Sequence, residues 1–465
     1  MSARERAGAG PGRLTRRRLL AGGGLLAAGV VAAAYGLRRR IVGKLSAWTQ
    51  SEAFTATPAL VPHDPARERR TLHVARGHTP AGNVDAVLAG LGGIEAVVGS
   101  DDVVVVKVSA QWWNQGMSNV AAVRRVIEHV LDRPGFRGEV VVFENVHFRR
   151  DDGSGLARAF TRPSERNVDV PGWTCLGDLI PHFADRGAAV SFVGLVDAGA
   201  SALAGDHWHD PEHVHGVYGG DGRGPIEPGA SRDGYHWDLA DAFAVRRSPL
   251  EQVRAPLSWP RFTSPRSGLV IDLRDGLARR EGERLVPVCD RGLTWINLTT
   301  CNEHAATGIT AACKSTMGVV DMSAGWMGTH PLARGYRSVH YFGHPDASWR
   351  LAGPLAHFAR AVRAPDLHLT VAEWVGVTPT PEWDGEVEDI RLSARAAHRV
   401  GAVVAGTDPV AIDAWCCRNL LAPLGGARGH LYDLDDPDSK ALKFLREYRR
   451  VLGAGTLDPS LISVA

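Results

Sequence analysis

The sequence predicts an α/β fold, a mainly parallel sheet with helices on both faces and one long His- and Gly-rich insertion. Three observations predict it. Val103-Val104-Val105-Val106-Lys107-Val108 is an almost unbroken apolar run, the pattern of a strand buried on both sides of a parallel sheet. Val120, Val123, Ile127, Val130 and Leu131 then follow helical spacing. A second apolar run returns at 140–143, so strand, helix and strand form one unit of parallel handedness.

The elements follow in order. Residues 45–70 are polar, contain Pro58, Pro62 and Pro65, and read as a linker into an α/β domain over 71–465. Asp101-Asp102 precedes the first strand; Ser118 or Asn119 caps the helix, and Asp132, Pro134 and Gly135 end it. A helix is expected at 175–186 despite Pro181, and a third strand at 189–195. Residues 197–265 then break the rhythm with Gly, Pro, His, Asp and Trp, and read as a functional insertion. Strands resume at 268–273, 285–289 and 294–298. A Gly-punctuated helical segment at 307–318, a helix at 351–362, strands at 367–375 and 403–405, and helices at 408–421 and 439–452 complete the chain. No internal repeat is present.

Composition bounds the function. The chain has 465 residues, 44% of them apolar and 22% charged, which is ordinary for a globular protein and excludes disordered and collagenous classes. The net charge of +2 hides an asymmetry: residues 1–44 carry ten basic residues against Glu5 and stand at +9, leaving −7 for the body. An acidic body excludes nucleic acid as a partner. Only five of the 53 basic residues are lysines, namely Lys44, Lys107, Lys314, Lys440 and Lys443, which makes each internal lysine a question in itself.

The leader has its own signature. Thr15-Arg16-Arg17-Arg18-Leu19-Leu20 opens an uncharged Ala/Gly/Leu/Val stretch that runs to Leu37, and this resembles a twin-arginine export signal. Residues 1–44 are therefore expected to engage the twin-arginine machinery and to place the body outside the cytoplasmic membrane, periplasmic or extracellular. Ala32-Ala33-Ala34 offers a cleavage site, whereas Arg38-Arg39-Arg40 and a stretch just long enough to span a bilayer fit an uncleaved anchor. The six cysteines form no C-x-x-C pair and no ferredoxin-like run, so there is no iron–sulfur motif. Cys301 and Cys313 are the closest non-adjacent pair for a disulfide; buried free thiols are the alternative.

Four places suggest chemistry. Lys107 ends its strand before Gln111, Trp112, Trp113 and Asn114, and Glu144 ends the next strand, so an anionic ligand could sit at the following helix N-terminus. His304 lies in a polar loop ahead of a Thr- and Gly-rich segment whose one charged residue is Lys314; the histidine suits a base or ligand, the lysine a fixed charge or a base of lowered pKa. Gly406-Thr407-Asp408-Pro409 joins a strand to a helix, with Pro409 at the first helical position, so Thr407 or Asp408 suits a helix cap. Asp413 falls inside an apolar helix face and needs a partner. The insertion packs His207, His209, His213 and His215 among Asp206, Asp210 and Glu212, with His236 and Asp238 further on. Imidazole and carboxylate suit a divalent metal such as zinc, nickel or copper, although the spacing matches no specific metalloenzyme motif. The alternative there is a solvated polar loop.

Lys107, Asn297-Leu298, His304, Thr307-Gly308, Thr310, Lys314, Gly318 and Asp408-Pro409-Val410-Ala411 with Asp413-Ala414 together resemble the domain of unknown function 362 family, over about residues 85–420. The chain departs from that pattern at Thr299 and Thr300, at Glu303 and at Ser315, and lacks the ferredoxin segment that many members carry. The resemblance implies no agreed reaction. The residues point to an exported α/β protein with Lys107, Glu144, His304, Lys314, Asp408 and Asp413 around one cleft. The lysines would bind an anionic group, His304 would act as base or ligand, and the aspartates would bind metal or orient the lysines. Metal-assisted hydrolysis or an acid–base reaction on a small anionic substrate follows from that set. A non-catalytic metal- or ligand-binding protein of the cell envelope is the alternative.

Overall fold

The computed structural model describes residues 69–145, 157–195, 217–218, 231–248, 251–304, 307–322, 336, 339, 348–377 and 397–465. The leader at 1–44, nearly all of the linker and the histidines at 207–215 lie outside these residues. One compact unit comprises residues 59–245 and 253–465; the remainder, 1–58 and 246–252, forms a second unit that is almost wholly outside the described residues.

In chain order the elements begin β1 (Arg70–Arg76), α1 (Pro80–Gly90), β2 (Val103–Val108), α2 (Val120–Leu131), β3 (Glu139–Asn145), α3 (Leu179–Ala184), β4 (Val190–Leu195) and β5 (Val217–Tyr218). A run of strands follows: β6 (Gly234–Ser248), β7 (Glu251–Thr263), β8 (Val270–Asp272), β9 (Gly276–Glu281), β10 (Arg284–Pro287), β11 (Leu293–Thr300), β12 (Asn302–His304) and β13 (Gly308–Thr310). The chain ends with α4 (Ala312–Ser315), α5 (Ala352–Ala361), β14 (Leu367–Gly376), β15 (Ala397–Gly406), α6 (Pro409–Cys416), α7 (Ala422–Leu424), α8 (Lys440–Leu452) and β16 (Ile462–Val464).

The main sheet has nine strands in the order β16-β1-β15-β14-β11-β2-β3-β4-β5. Six of its eight junctions are parallel; only β1 with β15 and β15 with β14 are antiparallel. β2 lies near the centre and every one of its residues is buried, which is what an apolar run with no alternation requires. Asn119 caps α2, its side chain accepting from the Ala122 N–H.

Helices cover both faces. On one, Val84, Val87 and Leu88 of α1, Val123, Val126, Ile127 and Val130 of α2, and Leu179 and Phe183 of α3 pack on Val104, Val106, Val140, Val142, Ile296 and Leu298. On the other, α4, α5, α6 and α8 cover Trp295, Ala372 and Val404, while a five-stranded sheet, β10-β9-β8-β7-β6, adds Tyr235, Leu257, Phe262 and Ile271. That second sheet occupies part of the 197–265 stretch, where none of the strands expected from the sequence lies. Residues 234–248 and 251–263 form two long strands, and a further strand stands at 276–281. Tyr235, Trp237, Leu239, Phe243 and Val245 alternate with polar or smaller residues in the first, and Val253, Ala255, Leu257 and Trp259 with Arg254, Pro256, Ser258 and Pro260 in the second. This is a strand signal that the Gly, Pro, His and Asp content of the stretch overshadows.

Two smaller differences concern helices. The segment 307–318 begins as strand β13, hairpinned to β12, and becomes helical only from Ala312. Gly308 makes the turn with φ +79°, and a side chain there would meet the Ala441 backbone at 2.5 Å. The helix expected at 408–421 is α-helical to Cys416 and then widens into a π turn over Cys417–Leu421.

Candidate functional site

The centre of the site is a buried ion pair at the carboxyl ends of two parallel strands. Lys107 is the fifth residue of β2 and Glu144 the sixth of β3; Lys107 Nζ lies 3.3 Å from Glu144 Oε2, with both side chains under 5% exposed. Open α/β sheets place their ligands at this end of the strands. Glu144 also accepts from the backbone N–H of Ala110 at 3.1 Å and of Asn145 at 3.2 Å. Even so, burial outweighs these donors and pushes its carboxyl up to about 7. Burial pushes the Lys107 ammonium down, and the attraction of Glu144 offsets part of that fall.

Lys107 is held from a second side. Its Nζ donates to Ser315 Oγ at 2.9 Å, Ser315 Oγ donates to Asn297 Oδ1 at 2.8 Å, and Asn297 Nδ2 donates to His368 Nδ1 at 3.0 Å. Lys107, Asn297 and His368 are register partners on adjacent strands, so the chain of bonds crosses the sheet on one level. His368 is fully buried; loss of water pushes its imidazole down to about 3 and keeps it neutral. With Nδ1 accepting, the ring proton sits on Nε2, which has no partner among the described residues.

Lys314 brings a second cation to this centre. It lies in α4, one residue before Ser315, and the turn continues through Gly318 directly across the ion pair. A side chain at Gly318 would overlap Glu144 Oε1 and stand 2.8 Å from Lys107 Nζ, so only glycine lets the backbone close over the pair. Lys314 is partly exposed and has no hydrogen-bond or ion-pair partner among the described residues. Desolvation, with the positive charge of Lys107 adding to it, pushes its ammonium down to about 8 against the pull of Glu144.

The aspartates serve the backbone. Asp413 is fully buried; Oδ1 accepts from the Ala312 N–H at 2.8 Å and Oδ2 from the Cys313 N–H at 3.1 Å. It thus caps the short helix that bears Lys314 and Ser315, and burial pushes its carboxyl up to about 7. Asp408 caps α6 through the N–H groups of Val410 and Ala411, accepts from the Thr456 N–H, and pairs with Arg70 Nε at 3.2 Å. Those partners use its oxygens, so a metal-binding or lysine-orienting role for Asp408 gives way to capping. His304 closes the β12–β13 hairpin, where Nδ1 accepts from the Thr307 N–H at 3.3 Å. Its neighbour Glu303 pairs with Arg428 at 2.7 Å.

Two further expectations meet a different arrangement. The first-turn N–H groups of α2 are taken: Val120 donates to Asn167 O, Ala121 to Val168 O and Ala122 to Asn119 Oδ1, so that helix start offers no anion site. His236 stacks on Trp259 at 5.2 Å and lies 3.9 Å from Asp272, whereas Asp238 binds the N–H groups of Ala240 and Asp241. His207, His209, His213 and His215 lie outside the described residues. Among the described residues no group of three or more His, Cys, Asp or Glu is placed to hold a metal, and no helix there is long and apolar enough to cross a membrane. The six cysteines are free thiols, so Cys301 and Cys313 are not bridged.

Sequence reasoning missed the roles of Ser315, Asn297 and His368 here. Asn297 and His368 carried a usable sign: each is a polar residue within an apolar strand, and buried polar groups need partners. Their partnership joins positions 71 residues apart, which no local pattern reveals.

Fold and site together define a mainly parallel α/β protein with a buried Lys107–Glu144 pair at its strand ends and a partly exposed Lys314 on the turn beside it. Within it, residues 293–418 match the family model described as Domain of unknown function (DUF362). The match takes in Asn297, His304, Lys314, Ser315, Gly318, His368, Asp408 and Asp413; Lys107 and Glu144 come from the preceding part of the chain. No curated protein and no solved structure matches the chain.

Proposed function

We propose that this protein is an exported α/β enzyme that performs acid–base chemistry on a small anionic substrate bound between Lys107 and Lys314. The observation that carries the reading is Lys314, a cation with no described partner set against a buried Lys107–Glu144 pair. Two ammonium groups and one carboxylate leave an unbalanced positive charge, which an anion neutralises. Glu144, at about 7, exchanges a proton near neutrality, and a group so poised is an efficient general acid or base.

The expected result is that full-length protein speeds exchange of solvent deuterium into carbon-bound hydrogens of small carboxylates, followed by proton NMR. Lys314→Ala should weaken binding of those carboxylates at least about tenfold, equivalent to about 1.4 kcal/mol, with thermal unfolding little changed. Absence of both exchange and binding in the wild-type protein, across mono-, di- and 2-oxo carboxylates and phosphate, would overturn the reading. Export rests on the leader, whose Arg16-Arg17 pair precedes an uncharged stretch. Replacing both arginines by lysine should retain a C-terminally tagged full chain in the cytoplasmic fraction; undiminished export of that variant excludes the twin-arginine route.

A further inference from the structure

The two lysines of the site are not equivalent, and the difference assigns them different chemistry. Lys107 is committed: it is 3% exposed, donates to Ser315 and pairs with Glu144. Lys314 has no partner among the described residues, is partly exposed, and stands on the turn that crosses that pair. Its backbone position is fixed by Asp413, which holds the Ala312 and Cys313 N–H groups just before it. A primary amine that is positioned, reachable and not used in an ion pair is a nucleophile in waiting, and a neighbouring cation is a known way of activating one.

We propose that Lys314 forms a Schiff base with a small 2-oxo or 3-oxo acid, whose carboxylate is held by Lys107. This rests on the anion-binding acid–base reading above and names its substrate class. The neutral amine attacks the carbonyl carbon, a C–N bond forms, and the carbonyl oxygen becomes the hydroxyl of a carbinolamine. That hydroxyl departs as water with a proton from the Glu144 carboxyl, leaving C=N; amine plus carbonyl gives imine plus water, with no oxidant or reductant. The proximity of Lys107 and burial keep a useful fraction of Lys314 unprotonated, for with its ammonium at about 8 roughly a tenth is neutral at pH 7. Glu144, at about 7, holds the proton that dehydration requires. Protonating Glu144 also releases Lys107 from its ion pair, so the same event that arms the acid frees the cation for the substrate carboxylate.

The test is reductive trapping of the full-length protein with borohydride in the presence of pyruvate, acetoacetate or a 2-oxo dicarboxylate, read by intact mass and peptide mapping. The expected result is one reduced adduct per chain, on the peptide bearing Lys314. Lys314→Arg should lose the adduct, because guanidinium retains the charge and has no nucleophilic amine at neutral pH. A wild-type protein that binds these anions but gives no adduct overturns the Schiff base and leaves the anion site standing. Adduct spread evenly over Lys440 and Lys443 overturns it as well. If neither adduct nor anion binding is found, the site reading falls with it.

Discussion

Glu144 and Asp413 are both buried carboxyls, both pushed up to about 7, and both accept two backbone N–H groups. Of the two, only Glu144 faces a cation among the described residues. Asp413 is surrounded by backbone donors, thiols and the apolar face of α6, and its two N–H partners open α4. Glu144 instead has Lys107 at 3.3 Å and the charge of Lys314 within its field. A raised carboxyl therefore does not by itself mark a reacting group. The distinction lies in what the carboxyl touches: peptide donors make it a structural clamp, whereas a lysine pair makes it part of a site whose charge can change.

The largest effect that separates them is expected at Asp413. Asp413→Ala leaves the Ala312 and Cys313 N–H groups buried without acceptors, and the loss should be about 3 kcal/mol, measured by urea unfolding. The released turn carries Lys314 and Ser315, so anion binding should fall with it. The pH dependence has a definite sign. An acid raised in the folded state binds its proton more tightly there, so its contribution is full below the unfolded value near 4 and is lost as pH climbs toward 7. Asp413→Asn should therefore remove a fall in stability between pH 4 and 7. Stability of the Ala variant equal to wild type would show that α4 needs no clamp, and the comparison would collapse.

Much of this arrangement was visible in the residues, and the limit is physical. The β2 run and the α2 spacing are local signals and stand in the structure where those signals put them; the cap was narrowed to Ser118 or Asn119, and it is Asn119. Lys107 and Lys314 stood out because lysine is rare in this chain and both fall in strand-end blocks. Pro409 announced a helix start and left its cap between Thr407 and Asp408; Asp408 takes it. Asp413 showed only that a partner must exist; the partner lies 101 residues earlier and is a backbone N–H, which carries no sequence signature. Strands β6 and β7 carry a two-residue period at Tyr235, Trp237 and Leu239 and at Val253, Ala255, Leu257 and Trp259, but the Gly, Pro, His and Asp content around them outweighed it. Gly318 was legible as a glycine, but its reason is the ion pair of two distant strands.

The smaller effect concerns Glu144, and it sharpens the contrast through charge. When ionised, Glu144 neutralises Lys107 and competes with any anionic ligand; when protonated, it does neither. Since its carboxyl sits at about 7, wild-type affinity for a small carboxylate should drop severalfold between pH 6 and 8, with part of the drop coming from Lys314 losing its own proton near 8. Glu144→Gln keeps the shape and an acceptor for the Ala110 N–H but removes the titration. Its affinity at pH 6 should match wild type within about twofold, while at pH 8 it should bind several times more tightly. Deuterium exchange should be lost in the same variant, because glutamine cannot move a proton. Titration calorimetry at the two pH values measures the first effect. An unchanged pH dependence would mean that Glu144 stays ionised across the range, which would place it with Asp413 as a clamp and remove the proton donor from the site.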